Sequence, residues 1–231
     1  MARKVQKNFL LYNGEKYHER ASPDAYELAI GFMSGLARGR ALDLAAGAGY
    51  TSRRLSDLGF NVTAYDIFTD QFVPRDIPIK KTNLDQGINE PDASVDAVLA
   101  LEVIEHLENP RGFLREISRV LRAGGGLVLS TPNIVTLGSK LRFAFREELE
   151  LFFNEVTRTR DPFCEEATGH ISPLLPWLLE IFVRDAGMRI VNTSYTKRWG
   201  LRTRHLGRSA IFAIEKLSPA ANGSASRSTD N

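Results

Sequence analysis

The chain has 231 residues, of which 43% are hydrophobic and 25% charged, with a formal net charge of +2. That length supports one sizeable buried core, and the near-balance of charge gives no electrostatic argument for a nucleic-acid partner. Cys164 is the one cysteine, which excludes an intramolecular disulfide. The basic start Met1–Lys7 leads into no apolar run of signal length, and no window reaches the roughly 18 apolar residues of a membrane span. Cytoplasmic residence is the expectation.

Residues 1–20 are polar and aromatic, with Tyr17, His18 and Arg20 close together ahead of Ser22-Pro23-Asp24. Ser22 suits an N-cap and Pro23 the first helical position, so a helix is expected to run to about Leu36. Arg40–Leu44 is an apolar strand pattern that carries Asp43 and runs straight into a Gly47-x-Gly49 turn, where missing Cβ atoms allow a ligand close to the backbone. A helical stretch, 51–58, precedes a second strand, 61–65. That strand ends on Asp66, nineteen residues after Gly47, the spacing at which an acid meets ribose hydroxyls in nucleotide-binding βαβ units.

A third strand is expected to end at Asn83-Leu84-Asp85, and Ser94–Glu102 is the fourth. Phe113, Leu114, Ile117, Val120 and Leu121 mark one face of a helix over 111–121, stopped by Gly124–Gly126, and the fifth strand covers 122–130. From 131 to 173 the periodicity changes. A helix is expected over 134–145, followed by a mixed segment that reads as an insertion. Leu174–Ala186 is helical with Gly187 as its cap. Strands over 189–196 and 209–217 form an antiparallel pair at the sheet edge, and 218–231 is a disordered tail poor in hydrophobes. The fold class is therefore α/β: a Rossmann-like, doubly wound, seven-stranded and mostly parallel sheet with an antiparallel edge strand and a helical cap insertion. Its ligand is expected outside the carboxyl ends of the strands.

Two residues argue against a dinucleotide. The third glycine of G-x-G-x-x-G is replaced by Ser52, and Asp43 would repel a pyrophosphate. A ligand with an adenosine end and a cationic ammonium would be attracted instead. With Asp43, Gly47, Gly49 and Asp66 in place, the chain resembles the class I S-adenosylmethionine-dependent methyltransferases. Val103-Ile-Glu105-His106-Leu107 is similar to the family's E-V-x-E-H turn, and Arg122–Ser130 to its L-x-x-G-G turn and fifth strand.

The resemblance implies S-adenosylmethionine as cofactor. Asp43, Ala45, Gly47 and Gly49 would sit at the donor's methionine end, and Asp66 with Ile67 at the ribose. Asn83, Leu84 and Asp85 fall on the adenine side, and Leu101 and Glu102 after the fourth strand. It also implies one methyltransferase domain over 1–217, with an N-terminal lid and helix (1–36), a cofactor core (37–133), a cap over the acceptor (134–172) and a C-terminal helix and strands (173–217). Acceptor contacts would come from Tyr17, His18, Arg20 and Asn133.

Methyl transfer from a sulfonium needs alignment, exclusion of water and, for a hydroxyl acceptor, a place for the proton. His170, in the Gly169-His-Ile-Ser-Pro173 turn, is the first candidate base and His106 the second, each set against a bracing role. No metal is expected, since Asp161 and Glu165-Glu166 read as surface charges. The Arg198, Arg202, Arg204 and Arg208 series suits either an anionic acceptor or a solvated loop. The resemblance leans toward a small-molecule or glycan hydroxyl as acceptor, with quinone precursors and other natural products as alternatives. A non-catalytic binding protein of the same fold is the competing class, and oligomeric state is left open.

Overall fold

A computed structural model describes residues 9–149, 152 and 169–218. The expected tail beyond 218, Cys164, Asp161, Glu165, Glu166 and most of the mixed segment of the insertion lie outside these. Chain order begins with a hairpin, β1 (Phe9–Tyr12) and β2 (Glu15–His18), then α1 (Pro23–Ser34). Ser22 Oγ accepts from the Ala25 N–H at 3.3 Å, and Pro23 opens the helix, as the cap chemistry dictates.

Next come β3 (Arg40–Leu44), α2 (Tyr50–Asp57), β4 (Asn61–Asp66), β5 (Ile79–Lys81), β6 (Val95–Ala100), α3 (Pro110–Val120) and β7 (Leu121–Pro132). The chain continues with α4 (Leu137–Arg146), α5 (Pro176–Asp185), β8 (Met188–Tyr195) and β9 (Ser209–Lys216). The seven-stranded sheet has the order β5-β4-β3-β6-β7-β9-β8. β9 runs antiparallel between β7 and the edge strand β8, and the remaining pairings are parallel. The order reverses between β3 and β6, and that reversal leaves a crevice at their carboxyl ends.

Alternation along the central strands divides the core in two. Leu42 and Leu44 of β3, with Leu127 and Leu129 of β7 and Phe212 and Ile214 of β9, face α3 and α5. Ala41, Leu99, Val128 and Ile211 face α1 and α2. Each fully buried leucine contributes about 1.5–3 kcal/mol, so the strands cannot slip by one residue without exposing both sets.

Three boundaries differ from expectation. Asn83–Asp85 do not end a strand: β5 stops at Lys81, and Leu84–Gln86 form a short 3-10 turn capped by Asn83 Oδ1, which accepts from the Asp85 N–H at 3.0 Å. α3 ends at Val120, one residue before the expected Leu121, because Leu121 already pairs with Val95 and the Gly-rich stretch is the irregular start of β7. α4 begins only at Leu137, where Thr136 Oγ1 accepts from the Ser139 N–H at 3.0 Å.

Candidate active site

β3, β4 and β6 lie side by side and deliver the candidate residues at their carboxyl ends. β3 turns sharply at Ala45, which has φ +59°, and the chain after β6 does the same at Glu102, φ +48°. Left-handed backbone at a non-glycine residue is uncommon and concentrates at functional turns. Between Ala45 and α2 the Gly47 N–H donates to Asp66 Oδ2 at 2.7 Å, while Asp66 Oδ1 accepts from the Phe68 N–H at 2.8 Å. Each carboxylate oxygen keeps a second lone pair, so Asp66 holds the turn and can still accept from two ribose hydroxyls. Ile67 follows it, half-buried.

Asp43 is buried within the same crevice. Its Oδ2 accepts from Thr51 Oγ1 at 2.7 Å and Ser52 Oγ at 2.6 Å. Ser52, the residue that breaks the dinucleotide glycine pattern, is thus one of the two hydroxyls that fix the carboxylate. Burial pushes Asp43 up to about 6; the Ser52 and Thr51 hydroxyls oppose that shift and the nearby Asp66 charge adds to it. A small cleft lies here, with Asp43, Ala45, Gly47, Leu101, His18 and Arg20 among its walls. A buried carboxylate, an αL glycine turn and a bidentate acid suit a ligand with an ammonium and a ribose.

Several residues expected at the site make other contacts in the structure. Gly49 has φ +88°, and a Cβ there would meet Phe72 Cε2 and Pro74 Cδ at 2.6 Å, so packing under the turn by itself excludes a side chain at this position. Gly47, φ +56°, is the glycine on the cleft. Tyr17 is fully buried and its ring packs edge-on against Tyr50. Burial and the Glu15 carboxylate it donates to push its phenol up to about 12, and the ring sits in the core cluster with Tyr26 and Tyr50.

Asn133 is committed to backbone: Nδ2 donates to the Arg204 and Gly207 carbonyls at 2.8 Å, and Oδ1 accepts from the Val135 N–H. It ties the β8–β9 loop to β7. Asp85 is exposed, and its Oδ1 accepts from the Glu108 and Asn109 N–H groups, while Leu84 packs into the core. In the arginine series, Arg202 pairs with Asp24 at 2.8 Å.

Glu102 is held by Ser130, whose Oγ accepts the Glu102 N–H at 3.0 Å and donates to Glu102 Oε1 at 2.7 Å. Burial raises the Glu102 carboxyl above its ordinary range, against the opposing hydroxyl of Ser130. Glu105, in the short 3-10 turn Ile104–His106, is fully buried. Burial first, then the charge of Glu102, holds it well above the usual carboxylate range. Both histidine candidates meet here. The His106 and His170 rings lie edge-on with centroids 4.7 Å apart, and Phe152 packs on His170 at 5.2 Å. The reason is backbone: the Ile171 and Ser172 N–H groups both donate to the Glu105 carbonyl at 2.9 Å, and Ser172 Oγ donates to the Leu107 carbonyl at 2.6 Å.

Sequence reasoning missed Ser130 and Glu90. Glu90 collects Tyr65, Lys80 at 2.7 Å and Arg40 at 2.6 Å beneath β3 and β4. Ser130 meets Glu102 because β7 pairs with β6, and Glu90 meets its partners because the loop before β6 passes beside β3, β4 and β5.

The sheet order and the Asp43–Gly47–Asp66 arrangement define a Rossmann-like methyltransferase fold. Residues 42–129 match the family described as "Methyltransferase domain". A "Probable S-adenosylmethionine-dependent methyltransferase" of Mycolicibacterium smegmatis is 40% identical over 101 residues, covering 41% of this chain and 38% of that protein. The mitochondrial "Ubiquinone biosynthesis O-methyltransferase" of Rattus norvegicus is 28% identical over 134 residues, covering 53% of this chain and 39% of that protein. The chain therefore matches well under half the length of these curated relatives. A solved S-adenosylmethionine-dependent methyltransferase from Archaeoglobus fulgidus superposes with a TM-score of 0.60 at 17% identity, over 82% of this chain and 90% of that one.

Proposed function

We propose that the chain binds S-adenosylmethionine at the carboxyl ends of β3, β4 and β6 and transfers its methyl group to a hydroxyl of a small-molecule acceptor. A sugar or glycan-type hydroxyl is the first choice. The observation that carries this is the Gly47–Asp66 hydrogen bond, which holds the glycine turn beside the cleft that Asp43 and Gly47 line.

When bound, S-adenosylmethionine supplies a methyl group already activated by the sulfonium charge. The chain's own residues bind and orient. Asp43 offers its charge to the ammonium, Asp66 accepts from the ribose hydroxyls, and Gly47 lets the backbone come close. His18 and Arg20, on the cleft wall after the hairpin, are placed to close on the acceptor. As the acceptor oxygen forms its bond to the methyl carbon, the carbon–sulfur pair stays on sulfur and the hydroxyl proton must leave. That proton is assigned to the Glu105–His106–His170 cluster, with His170 first and His106 second. Alignment supplies the larger share of the barrier reduction, roughly 7–11 kcal/mol for well-oriented reactants.

A second reading, a phenolic hydroxyl of a quinone precursor, is favoured by the name of the Rattus norvegicus relative. Incubating the chain with S-adenosylmethionine and paired panels of sugars and phenols, followed by mass spectrometry, separates the two. Formation of S-adenosylhomocysteine with neither panel above background would point to a non-catalytic binding protein or another acceptor class.

A further inference from the structure

We propose that Glu105, His106 and His170 form a binding site for a first-row divalent cation that holds and acidifies the acceptor hydroxyl. One potential ligand atom from each of the three residues falls within 4.8 Å of the other two. That spacing needs only a small contraction to meet about 2.0–2.2 Å ligand bonds around one ion.

A second, independent observation is the state of Glu105. It is fully buried, and among the described residues neither carboxylate oxygen has a hydrogen-bond partner. Buried polar groups are almost always satisfied, and a carboxyl without a partner is costly. Either a proton or a cation must answer that cost. The surroundings favour the cation: Glu102 is a second carboxylate three residues away, and the remaining neighbours in the cluster are two imidazoles, good ligands for first-row transition metals.

The fold has invested in the arrangement. Three hydrogen bonds from residues 171 and 172 to the backbone of 105 and 107 fix a chain segment more than sixty residues distant beside the 3-10 turn. Two imidazoles and one carboxylate suit manganese, iron, cobalt or zinc better than magnesium or calcium, which prefer oxygen ligands. This proposal rests on the methyltransferase reading and changes the imidazoles from proton acceptors to ligands. The cation lowers the acceptor hydroxyl's pKa so that its proton passes to solvent. It also revises the expectation, from sequence, of no metal.

The test uses the full chain, stripped with a chelator and titrated with cobalt(II), followed by visible d–d absorption and calorimetry. S-adenosylhomocysteine affinity is measured alongside. The expected result is one cobalt per chain with new visible bands, weakened at least about tenfold by Glu105→Gln and by His106→Gln, with S-adenosylhomocysteine affinity unchanged. Absence of a stoichiometric site in the unaltered chain, or equal binding in both variants, would overturn the proposal. The unaltered chain decides the matter even if a variant misfolds. Failure to bind S-adenosylhomocysteine would instead strike the donor site and the function built on it.

Discussion

The Gly47 N–H donates to Asp66 Oδ2 at 2.7 Å across nineteen positions of sequence. One carboxylate thereby shapes the glycine turn, and under the proposed function it also meets the ribose, so its loss would act on both. Asp66→Ala removes two charge-assisted hydrogen bonds to a ribose, each worth roughly 1.5–3 kcal/mol, so S-adenosylhomocysteine binding should weaken at least a hundredfold by calorimetry. Asp66→Asn retains one acceptor oxygen and should fall between. Unchanged affinity in the alanine variant would remove Asp66 from the site.

The two glycines of the turn should separate in their effects. Gly47→Val adds bulk on the cleft and strain at φ +56°, so donor binding should be lost with a modest fall in melting temperature. Gly49→Val drives its side chain into Phe72 and Pro74. Overpacking typically costs about 1–3 kcal/mol, and thermal unfolding should register it as the more destabilised of the two. The reverse order would contradict the geometry of the turn.

Asp43 and Glu90 give opposite pH signatures. Asp43 is raised from 3.8 to about 6 by burial, so the stability tied to its protonated form is complete below about 3.8 and lost as pH rises through about 6. That change is at most about 3 kcal/mol. Burial raises Glu90 too, but hydrogen bonds from Lys80, Tyr65 and Arg40 outweigh it and hold the group at about 2. Its contribution is present above 4.5 and lost as pH falls toward 2. Chemical denaturation from pH 3 to 8 should therefore lose its acid limb in Glu90→Gln and its change near pH 6 in Asp43→Asn. Binding of a cationic donor should strengthen through pH 6 in the unaltered chain only; a flat profile would exclude Asp43 as the ammonium partner.

The Glu105–His106–His170 cluster, if it takes the acceptor proton itself, predicts a kinetic split. His170→Ala should lower turnover by roughly a hundredfold or more with donor affinity nearly intact, the usual size for loss of an acid–base group. His106→Ala should behave similarly because the two rings share one cluster. Mild effects at both, measured with an identified acceptor, would mean that alignment alone drives the reaction.

What sequence made visible was what local chemistry controls. Ser22 and Pro23 set the start of α1, and Leu42 and Leu44 against Ala41 set the faces of β3. The Gly47–Asp66 spacing singled out two residues that the fold joins by a 2.7 Å hydrogen bond. What it hid depends on contacts between distant segments. Gly49 looked like Gly47 because the Phe72 and Pro74 beneath it are more than twenty residues away. Asn133 looked like an acceptor contact, yet its amide is spent on the carbonyls of Arg204 and Gly207. His106 and His170 were separate candidates in sequence, and only the backbone clamp from 171 and 172 onto Glu105 and Leu107 made them one cluster.

A crystal structure of the chain with S-adenosylhomocysteine bound is the most direct measurement. The ribose hydroxyls should lie about 2.5–3.0 Å from the Asp66 carboxylate, the ammonium beside Asp43, and the sulfur toward Glu102 and the His106–His170 pair. Density for the ligand away from the carboxyl ends of β3, β4 and β6, or a ribose that does not touch Asp66, would contradict the donor site described above.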